Sequence, residues 1–341
     1  MSIQGSVLLH SLPVQNKPFA MSYNSSFSME NRLAVCSFEL NQPNQISIYR
    51  TTGPSIVNDG ILDILFPPTC VKFNPSGSRD SSDLFVTCSD CLRLYETTLT
   101  GINLANEIAT NGTNDPLTCA DWSEYQESLI LVGSTDATAT AIDLETSDII
   151  TKVIAHDHPI HDISFCGSDS TFITAGFDGS MRFFDLRDLQ SSFIYYQTAN
   201  PLMRAAVAPV EPNKIATFAS GSHSICIIDS RKPGIPLAVM KKHKSPITCI
   251  GWSRLECGKI YSTDQSGVLE TTIQFDAGLI EADVLPIPNV YLSYTTDSPI
   301  ESFVVGQNVV AIASMNKIDI ITNPKSDKME SLNEAELGEV L

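Results

Sequence analysis

Short runs of alternating apolar and polar residues recur along almost the whole chain, and seven of them share one outline. A proline comes first, a few alternating apolar residues follow, and an aromatic or apolar residue closes the run: PFAMSY, PTCVKF, PLTCADW, PIHDISF, PLMRAAV, PITCIGW and PIESFVV. They begin at Pro18, Pro68, Pro116, Pro159, Pro201, Pro246 and Pro299. Alternation with period two predicts strands, and a proline at the first residue of a strand removes no ladder hydrogen bond.

Each outline is followed by two further strand-like runs with a tight turn between them. The second runs are RLAVCSF, DLFVTCS, SLILVGS, TFITAGF, KIATFAS, KIYSTDQ and NVVAIAS. The third runs are QISIYR, CLRLYE, ATAIDL, SMRFFDL, SICIIDS, GVLETTI and KIDIITN. These runs are rich in Ile, Val, Leu, Phe and Thr, and Gly, Asn, Asp and Ser separate them, which is typical of strands and turns. Helical periodicity is almost absent before residue 324.

The spacing of the outlines predicts the architecture. Successive outlines lie 50, 48, 43, 42, 45 and 53 residues apart, and a period near 45 with several strands per unit indicates a β-propeller. We predict an all-β fold with seven four-stranded antiparallel blades in one domain, residues 1–323, because one blade cannot bury both of its faces alone. A strand around residues 6–10 would close the ring. Residues 324–341 form a predicted acidic C-terminal tail.

The composition narrows the class of partner and the compartment. The chain has 341 residues, 39 acidic and 21 basic side chains and a formal net charge of -18. Because nucleic-acid binding relies on Lys and Arg that neutralise phosphates, we expect no direct contact with nucleic acid. No stretch reaches the ~20 apolar residues of a membrane span, the N-terminus lacks the basic start of a signal peptide, and the nine scattered cysteines are typical of a reducing compartment. We expect a soluble protein of the cytoplasm and the nucleus.

Residues 154–188, IAHDHPIHDISFCGSDSTFITAGFDGSMRFFDLRD, concentrate histidine and aspartate. His156 precedes a predicted first strand, Thr174 lies on the second, Asp178 lies in the turn before the third, and Asp185 ends the third. This arrangement resembles a WD repeat, with Ala-His for Gly-His and Phe-Asp for Trp-Asp. The resemblance implies a structural blade network of these four residues, because buried polar groups need hydrogen-bond partners.

A metal site or a catalytic site is the alternative use of such residues. His158 and His161 have no partner cluster elsewhere in the sequence, whereas a zinc site needs three or four converging ligands. Cys88 and Cys91 form a single C-x-x-C, which without a second pair is a weak signal for zinc or redox chemistry. The sequence has no G-x-S-x-G, P-loop, G-x-G-x-x-G or H-E-x-x-H motif. We therefore expect no catalytic residue, no metal and no cofactor, in a protein that is not an enzyme.

One position of the first strands is predicted to lie near the propeller axis. Three residues before the last residue of each outline stand Ala20, Cys70, Cys119, Asp162, Arg204, Cys249 and Ser302. Most of these side chains are small, as a crowded position requires, and a buried cysteine acts there as a small hydrophobe. Asp162 and Arg204 hold this position in adjacent blades. We predict an ion pair between them, and two independent solvated charges are the alternative.

Three blocks resemble one family of WD-repeat adaptors more closely than WD repeats in general. They are DLFVTCSDCLRLYE in the second unit, the stretch from VIAHDHPIHDIS to HKSPITCIGWS in the middle, and NVVAIASMNKIDII in the last unit. From about Lys17 to Ile321 the chain resembles the plant Transparent Testa Glabra proteins and their animal counterparts, which are adaptors for dual-specificity DYRK kinases. The seven-bladed WD-repeat propeller is the fold that this resemblance implies.

By its resemblance, the chain is identified as a divergent member of this adaptor family. Ile142-Asp143 and Ile228-Asp229 replace Trp-Asp, and Thr272-Ile273 has lost the pair altogether. Gly221 and Ser266 stand where turn aspartates are expected. The fold is therefore carried over more safely than the identity of the partners.

The resemblance implies a scaffold. In plants the family holds MYB and basic helix-loop-helix transcription regulators together, and in animals it binds DYRK-type kinases. A propeller suits this role because it presents variable loops on a stiff frame, and an acidic surface suits basic partner segments. We expect a protein-interaction adaptor for a protein kinase or transcription regulators, itself a monomeric subunit of hetero-complexes.

A second function follows from two Asp-x-Arg boxes that end consecutive units. FDLR contains Asp185 and Arg187, and IDSR contains Asp229 and Arg231. They resemble the paired W-D-x-R boxes of substrate-receptor subunits of cullin-RING ubiquitin ligases, whose arginines dock on the ligase adaptor. The planar guanidinium suits such docking because it makes bidentate charged hydrogen bonds. The alternative is that both arginines only brace the turn after the third strand.

Overall fold

The structure, a computed structural model, describes residues 8–24, 31–40, 42–52, 55–76, 83–98, 101–110, 115–241, 243–254, 256–273, 290–306 and 309–322. The predicted tail, residues 324–341, lies outside this part of the chain. The described residues contain strands and turns but no helix. No helix long and apolar enough to span a membrane is found among them.

The strands form seven four-stranded antiparallel sheets, which confirms the predicted seven-bladed propeller. Blade 1 consists of β2 Pro18–Tyr23, β3 Asn31–Ser37, β4 Asn44–Thr52 and β5 Ser55–Ile64, and blade 2 consists of β6 Cys70–Phe73, β7 Asp83–Cys88, β8 Leu92–Thr98 and β9 Gly101–Ile108. Blade 3 consists of β10 Leu117–Trp122, β11 Leu129–Ser134, β12 Thr138–Asp143 and β13 Asp148–Ile154. Blade 4 consists of β14 Ile160–Phe165, β15 Thr171–Gly176, β16 Ser180–Asp185 and β17 Asp188–Gln197. Blade 5 consists of β18 Ala206–Val207, β19 Lys214–Thr217, β20 Ser224–Asp229 and β21 Pro236–Lys241. Blade 6 consists of β22 Ile247–Trp252, β23 Lys259–Asp264, β24 Val268–Ile273 and β25 Val290–Thr295. Blade 7 consists of β26 Ile300–Val305, β27 Val309–Ser314, β28 Lys317–Thr322 and the N-terminal strand β1 Leu8–Pro13.

The N-terminal strand closes the ring. Strand β1 pairs antiparallel with β28, with Leu12 opposite Ile318 and Ser11 opposite Asp319. We predicted this strand around residues 6–10, and the described strand lies slightly later in the chain, at Leu8–Pro13. Blade 7 therefore combines β26, β27 and β28 with a fourth strand from the N-terminal part of the chain.

The buried apolar side chains of the described residues form seven clusters, each shared by two neighbouring blades. Strand β11 is buried along its full length, whereas β13 at the outer edge of the same blade is largely exposed. The middle strands are buried on both faces because each blade packs between two others. Burying a side chain such as Ile130 or Phe172, both almost fully inaccessible, contributes roughly 1.5–3 kcal/mol.

Blade 5 departs from the predicted pattern in its first strand. The predicted run PLMRAAV begins at Pro201, but only Ala206 and Val207 form a regular ladder, preceded by an isolated bridge between Leu202 and Ala219. Between these two pairings the Thr217 hydroxyl donates to the Arg204 carbonyl at 2.6 Å. A side-chain hydrogen bond therefore replaces part of the ladder.

The antiparallel order gives the propeller two faces. The upper face carries the connections between blades and the turns between second and third strands, and it includes His156 and Phe177. The lower face carries the loops between first and second strands and the turns between third and fourth strands, and it includes Arg187 and Arg231.

Candidate functional site

The predicted blade network is centred on His156, which lies in the connection that enters blade 4. The side chain is fully buried. Its Nδ1 lies 3.0 Å from both carboxylate oxygens of Asp178, and its Nε2 lies 2.7 Å from the Thr174 hydroxyl. These contacts join the connection, the second strand and the turn before the third strand.

The electrostatics of this network favour a neutral imidazole. Burial lowers the pKa of His156, although Asp178 acts in the opposite direction. Burial would raise the pKa of Asp178, but hydrogen bonds from the Ser180 backbone and side chain and from His156 hold it below its ordinary value. Since a carboxylate only accepts, Nδ1 carries the proton and Nε2 accepts from Thr174.

Asp185 does not belong to this network, and its assignment there is corrected. It ends β16 on the lower face, at the opposite end of the strand from the Asp178 turn, where it accepts hydrogen bonds from the backbone and side chain of Arg187. In this blade, the aspartate at the Trp-Asp position of the repeat therefore stabilises the turn on the lower face.

A second network in blade 6 was missed by the sequence analysis. His243 Nδ1 lies 2.9 Å from Asp264 Oδ2, and His243 Nε2 lies 2.7 Å from the Ser262 hydroxyl. The sequence comparison placed Ser266 at the aspartate position, but Ser266 only donates to Asp264, at 2.6 Å. The signal that could have found this site is spacing: His243 precedes the first strand residue Ile247 by four positions, as His156 precedes Ile160.

The predicted pair of Asp162 and Arg204 lines the central channel, a cavity of about 890 Å³. Arg204 Nη1 lies 3.6 Å from Asp162 Oδ1, and the other carboxylate oxygen accepts from the Ala205 backbone at 2.9 Å. One blade earlier, Asp121 makes an ion pair with Lys72 at 3.2 Å and accepts from the Phe165 backbone at 2.9 Å. Channel carboxylates thus join neighbouring blades.

The neighbouring position on the first strands makes a second series of contacts between blades. The Thr69 hydroxyl donates to the Leu117 carbonyl at 2.7 Å, and the Thr118 hydroxyl donates to the Ile160 carbonyl at 2.6 Å. His161 Nδ1 lies 2.8 Å from the Leu202 carbonyl, and only a protonated nitrogen can donate there. His161, left without a role by the sequence, thus joins blade 4 to blade 5.

The remaining candidate metal ligands do not converge. The described residues contain no group of three or more His, Cys, Asp and Glu side chains placed to hold a metal ion. His158 and His161 flank the ring of Phe177, with ring centroids 6.0 and 5.7 Å away. Cys88 and Cys91 are buried free thiols, and burial raises the pKa of Cys91 to about 12, which makes it a poor metal ligand or nucleophile.

The two Asp-x-Arg boxes occupy matching positions on the lower face of blades 4 and 5. Arg187 binds Asp185 through Nε at 2.9 Å and Nη2 at 2.6 Å, and Arg231 binds Asp229 at 2.9 and 2.7 Å. The arginine side chains are 73% and 66% exposed. Hydrogen bonds from Arg187 lower the pKa of Asp185 to about 2. Each aspartate orients its guanidinium and leaves Nη1 for another acceptor.

Comparisons with known proteins agree with this architecture. The family model described as WD domain, G-beta repeat matches residues 147–185, the part of the chain that contains the His156 network. A solved structure, the crystal structure of Chaetomium thermophilum Raptor, aligns with a TM-score of 0.75 over 94% of this chain and 29% of that chain. At 13% identity this similarity shows the fold alone.

Two curated relatives extend the similarity in sequence. The protein named DDB1- and CUL4-associated factor 7 homolog, from Dictyostelium discoideum, is 32% identical over 244 residues, which cover 69% of this chain and 75% of that protein. An uncharacterized WD repeat-containing protein of Schizosaccharomyces pombe is 28% identical over 292 residues, 77% of this chain and 66% of the relative.

Proposed function

The chain belongs to the WD-repeat family of DDB1- and CUL4-associated factor 7, and from this membership we propose that it is a non-enzymatic scaffold that assembles regulatory protein complexes. The proposed partners are protein kinases or transcription regulators, as the resemblance to the Transparent Testa Glabra proteins and the DYRK-binding adaptors implies. The proposed compartments are the cytoplasm and the nucleus.

The observation that supports a scaffold is the contrast between the interior and the upper face. Buried networks and contacts between blades hold a stiff frame, while the turns and connections of the upper face expose the large apolar side chains Leu40, Leu65, Phe177 and Met315. The loops of the lower face expose Tyr125, Val210 and Ile235 as well, so both faces offer apolar contact area to protein partners. The net charge of -18 favours basic partner segments.

Affinity purification with mass spectrometry from native cells tests this proposal. The wild type is compared with Leu65→Ser/Phe177→Ser on the upper face and with the matched control Val210→Ser/Ile235→Ser, which changes exposed apolar residues on the lower face. We expect the upper-face variant to lose kinases or transcription regulators that the control retains. Equal recovery of these partners by all three proteins, each shown to be folded, would refute the proposed upper-face docking.

A second proposed function is that of a substrate receptor of a cullin-RING ubiquitin ligase. It is supported by the paired, exposed and oriented arginines Arg187 and Arg231 and by the name of the Dictyostelium relative. In this proposal the lower face docks on the ligase adaptor, so the upper face stays available for a client. The two functions are compatible because they use different faces.

The ligase proposal is tested with the Arg187→Glu/Arg231→Glu variant. The matched control is Lys241→Glu/Lys244→Glu, which makes the same change in charge at exposed lysines on the upper side of the propeller. We expect the cullin-ligase adaptor to be recovered with the wild type and the control and lost with the arginine variant. Absence of the adaptor from all three purifications would mean that the arginines only brace their turns.

A further inference from the structure

Blade 2 places two cysteines opposite each other on neighbouring antiparallel strands. Cys70 is the first residue of β6, and it pairs in register with Cys88, the last residue of β7. Both side chains pack in the apolar layer between blades 2 and 3, so they lie on the same face of the sheet. Both are free thiols. We call them the blade 2 thiol pair.

Among the described residues, this arrangement occurs in blade 2 alone. The other cysteines at these two strand positions lie opposite residues without a thiol: Cys119 opposite Gly133, Cys249 opposite Thr263, and Cys36 opposite Ala20. A cysteine on the first strand therefore acts elsewhere as a small apolar side chain, whereas in blade 2 it has a second thiol to react with.

The strand pairing suits a disulfide. Residues directly opposite in an antiparallel pair have Cα atoms about 4.5–5.5 Å apart, and disulfides join Cα atoms about 4.4–6.8 Å apart. A bridge between Cys70 and Cys88 therefore needs little movement of the backbone. Cys91, the other cysteine of the C-x-x-C, precedes β8, where Cys88 pairs with Leu92 instead.

The two thiols differ in access from solvent. Cys70 is partly exposed and lines the central channel, the cavity of about 890 Å³ that also contains the Asp162–Arg204 pair. Cys88 is fully buried behind it. A small oxidant in the channel therefore reaches the Cys70 sulfur first, and the Cys88 sulfur can react only with its neighbour in the sheet.

The surroundings of Cys70 favour its thiolate. A hydrogen bond from the Cys88 thiol lowers the pKa of Cys70, burial acts in the opposite direction, and the charge of Lys72 lowers it further, to about 7. Arg204, which also lines the channel, acts in the same direction as Lys72. The hydrogen bond to Cys70 and burial raise the pKa of Cys88. Because the thiolate is the nucleophile, Cys70 is the sulfur that attacks an oxidant.

We propose that the blade 2 thiol pair is an oxidation site, at which a hydroperoxide converts Cys70 and Cys88 into a disulfide that a thiol reductant reopens by exchange. This site lies in the channel wall and not on either loop face, so the inference is independent of the proposed scaffold function.

The reaction has two steps. The Cys70 thiolate attacks one peroxide oxygen, the O–O bond breaks, and the leaving oxygen takes up the proton that Cys70 had lost, which gives water from hydrogen peroxide and a sulfenic acid on Cys70. The Cys88 sulfur then attacks the Cys70 sulfur, the S–O bond breaks, and the hydroxide leaves as water with the Cys88 proton. Two thiols lose two electrons in total, and one peroxide gains them.

Peptide mapping of the full chain tests this site. The reduced, folded protein is treated with hydrogen peroxide, blocked with N-ethylmaleimide and digested with trypsin without reductant. The tryptic peptide 51–72 contains Cys70, and the peptide 80–93 contains Cys88 and Cys91, which fragmentation of the linked peptides distinguishes. We expect a Cys70–Cys88 disulfide that dithiothreitol removes.

An added small thiol, N-acetylcysteine, is the reference in the same sample. The proposal is overturned if Cys70 is still a free thiol after half of the reference has been oxidised. It is equally overturned if Cys70 is linked to Cys36, Cys91 or Cys119 in place of Cys88.

Three variants, each shown by circular dichroism to be folded, test the order of the two steps. In Cys88→Ala the reaction should stop at a sulfenic acid on Cys70, which dimedone traps. Cys70→Ser should form neither the disulfide nor a sulfenic acid on Cys88. Cys119→Ser is the matched control, because it changes another channel thiol at the same strand position, and it should keep the disulfide. A sulfenic acid on Cys88 of Cys70→Ser, or loss of the disulfide from Cys119→Ser, would contradict the assignment.

Discussion

Asp264 and Gly176 occupy equivalent positions in blades 6 and 4, since Asp264 pairs with Ile247 and Gly176 pairs with Ile160. The residue at this position determines which part of the blade supplies the carboxylate that contacts the histidine. The Asp264 side chain contacts His243 directly at 2.9 Å. At Gly176 a Cβ atom would collide with the His156 ring and with Asp178. Blade 4 therefore takes its carboxylate from the turn, and the strand must leave room for it.

Gly176→Ala should destabilise the protein by about 1–3 kcal/mol, because the added methyl group overpacks the network. Gly251→Ala is the matched control, since its Cβ would meet only the Phe303 ring, at 3.3 Å. Urea denaturation measures both. If Gly176→Ala lowers the unfolding free energy no more than Gly251→Ala does, the network accommodates the added methyl group without cost.

Asp264→Ala should cost about 1–3 kcal/mol of unfolding free energy, because it removes the acceptor of the buried His243 ring and of the Ser266 and Val268 backbone amides. Asp188→Ala, at an exposed position on β17, should change the unfolding free energy by less than about 0.5 kcal/mol. The comparison uses the midpoints of thermal or urea unfolding. Similar losses in both variants would contradict a structural role for the blade 6 network.

The stability of the protein should fall with pH below about 6.5 because of His156. Its folded-state pKa is lowered by burial, so in this window the unfolded chain binds a proton that the folded protein does not. The carboxyls of Asp178 and Asp264, whose pKa values are also lowered, contribute stability above about pH 4 that is lost as pH falls through their folded pKa values.

The measurement for His156 is the urea midpoint at pH 7.5 and 5.5. Between pH 7.5 and 5.5, the urea midpoint of His156→Gln should fall less than that of the wild type, although the variant is less stable at pH 7.5. Asp157, Asp178 and Arg182 are the charged groups around this ring. An equal loss in both proteins would assign the pH dependence to other groups.

Asp162→Ala should destabilise the protein more than Arg204→Met. The aspartate accepts from the Ala205 backbone as well as pairing with the arginine, so its removal leaves a backbone donor unpaired at a cost of about 1–3 kcal/mol. The arginine side chain faces the channel and is partly exposed, and such pairs contribute about 0.2–1 kcal/mol. A double-mutant cycle gives the coupling, and a larger loss for Arg204→Met would reverse this assignment.

Much of the fold could be predicted because its signals are local. Period-two alternation, prolines before first strands and a spacing near 45 residues predict the blades, and Pro18 does begin β2. His156, Thr174 and Asp178 could be assigned together because one unit contains all three in the order of a WD repeat. Asp185 was misplaced because its position in the sequence does not reveal which end of the blade its side chain serves.

The sequence by itself determined the number of blades, their strand content, the closure of the ring and one of the two histidine networks. Only the tertiary structure decided that Asp264 partners His243, that His161 bonds to the next blade and that the Thr217 hydroxyl bonds to the Arg204 carbonyl. The physical reason is that alternation and spacing act within a strand or a turn, whereas these contacts depend on strand register and on packing between blades. A shift of one residue in register would place the side chains of Asp264, His161 and Thr217 on the other face of their sheets.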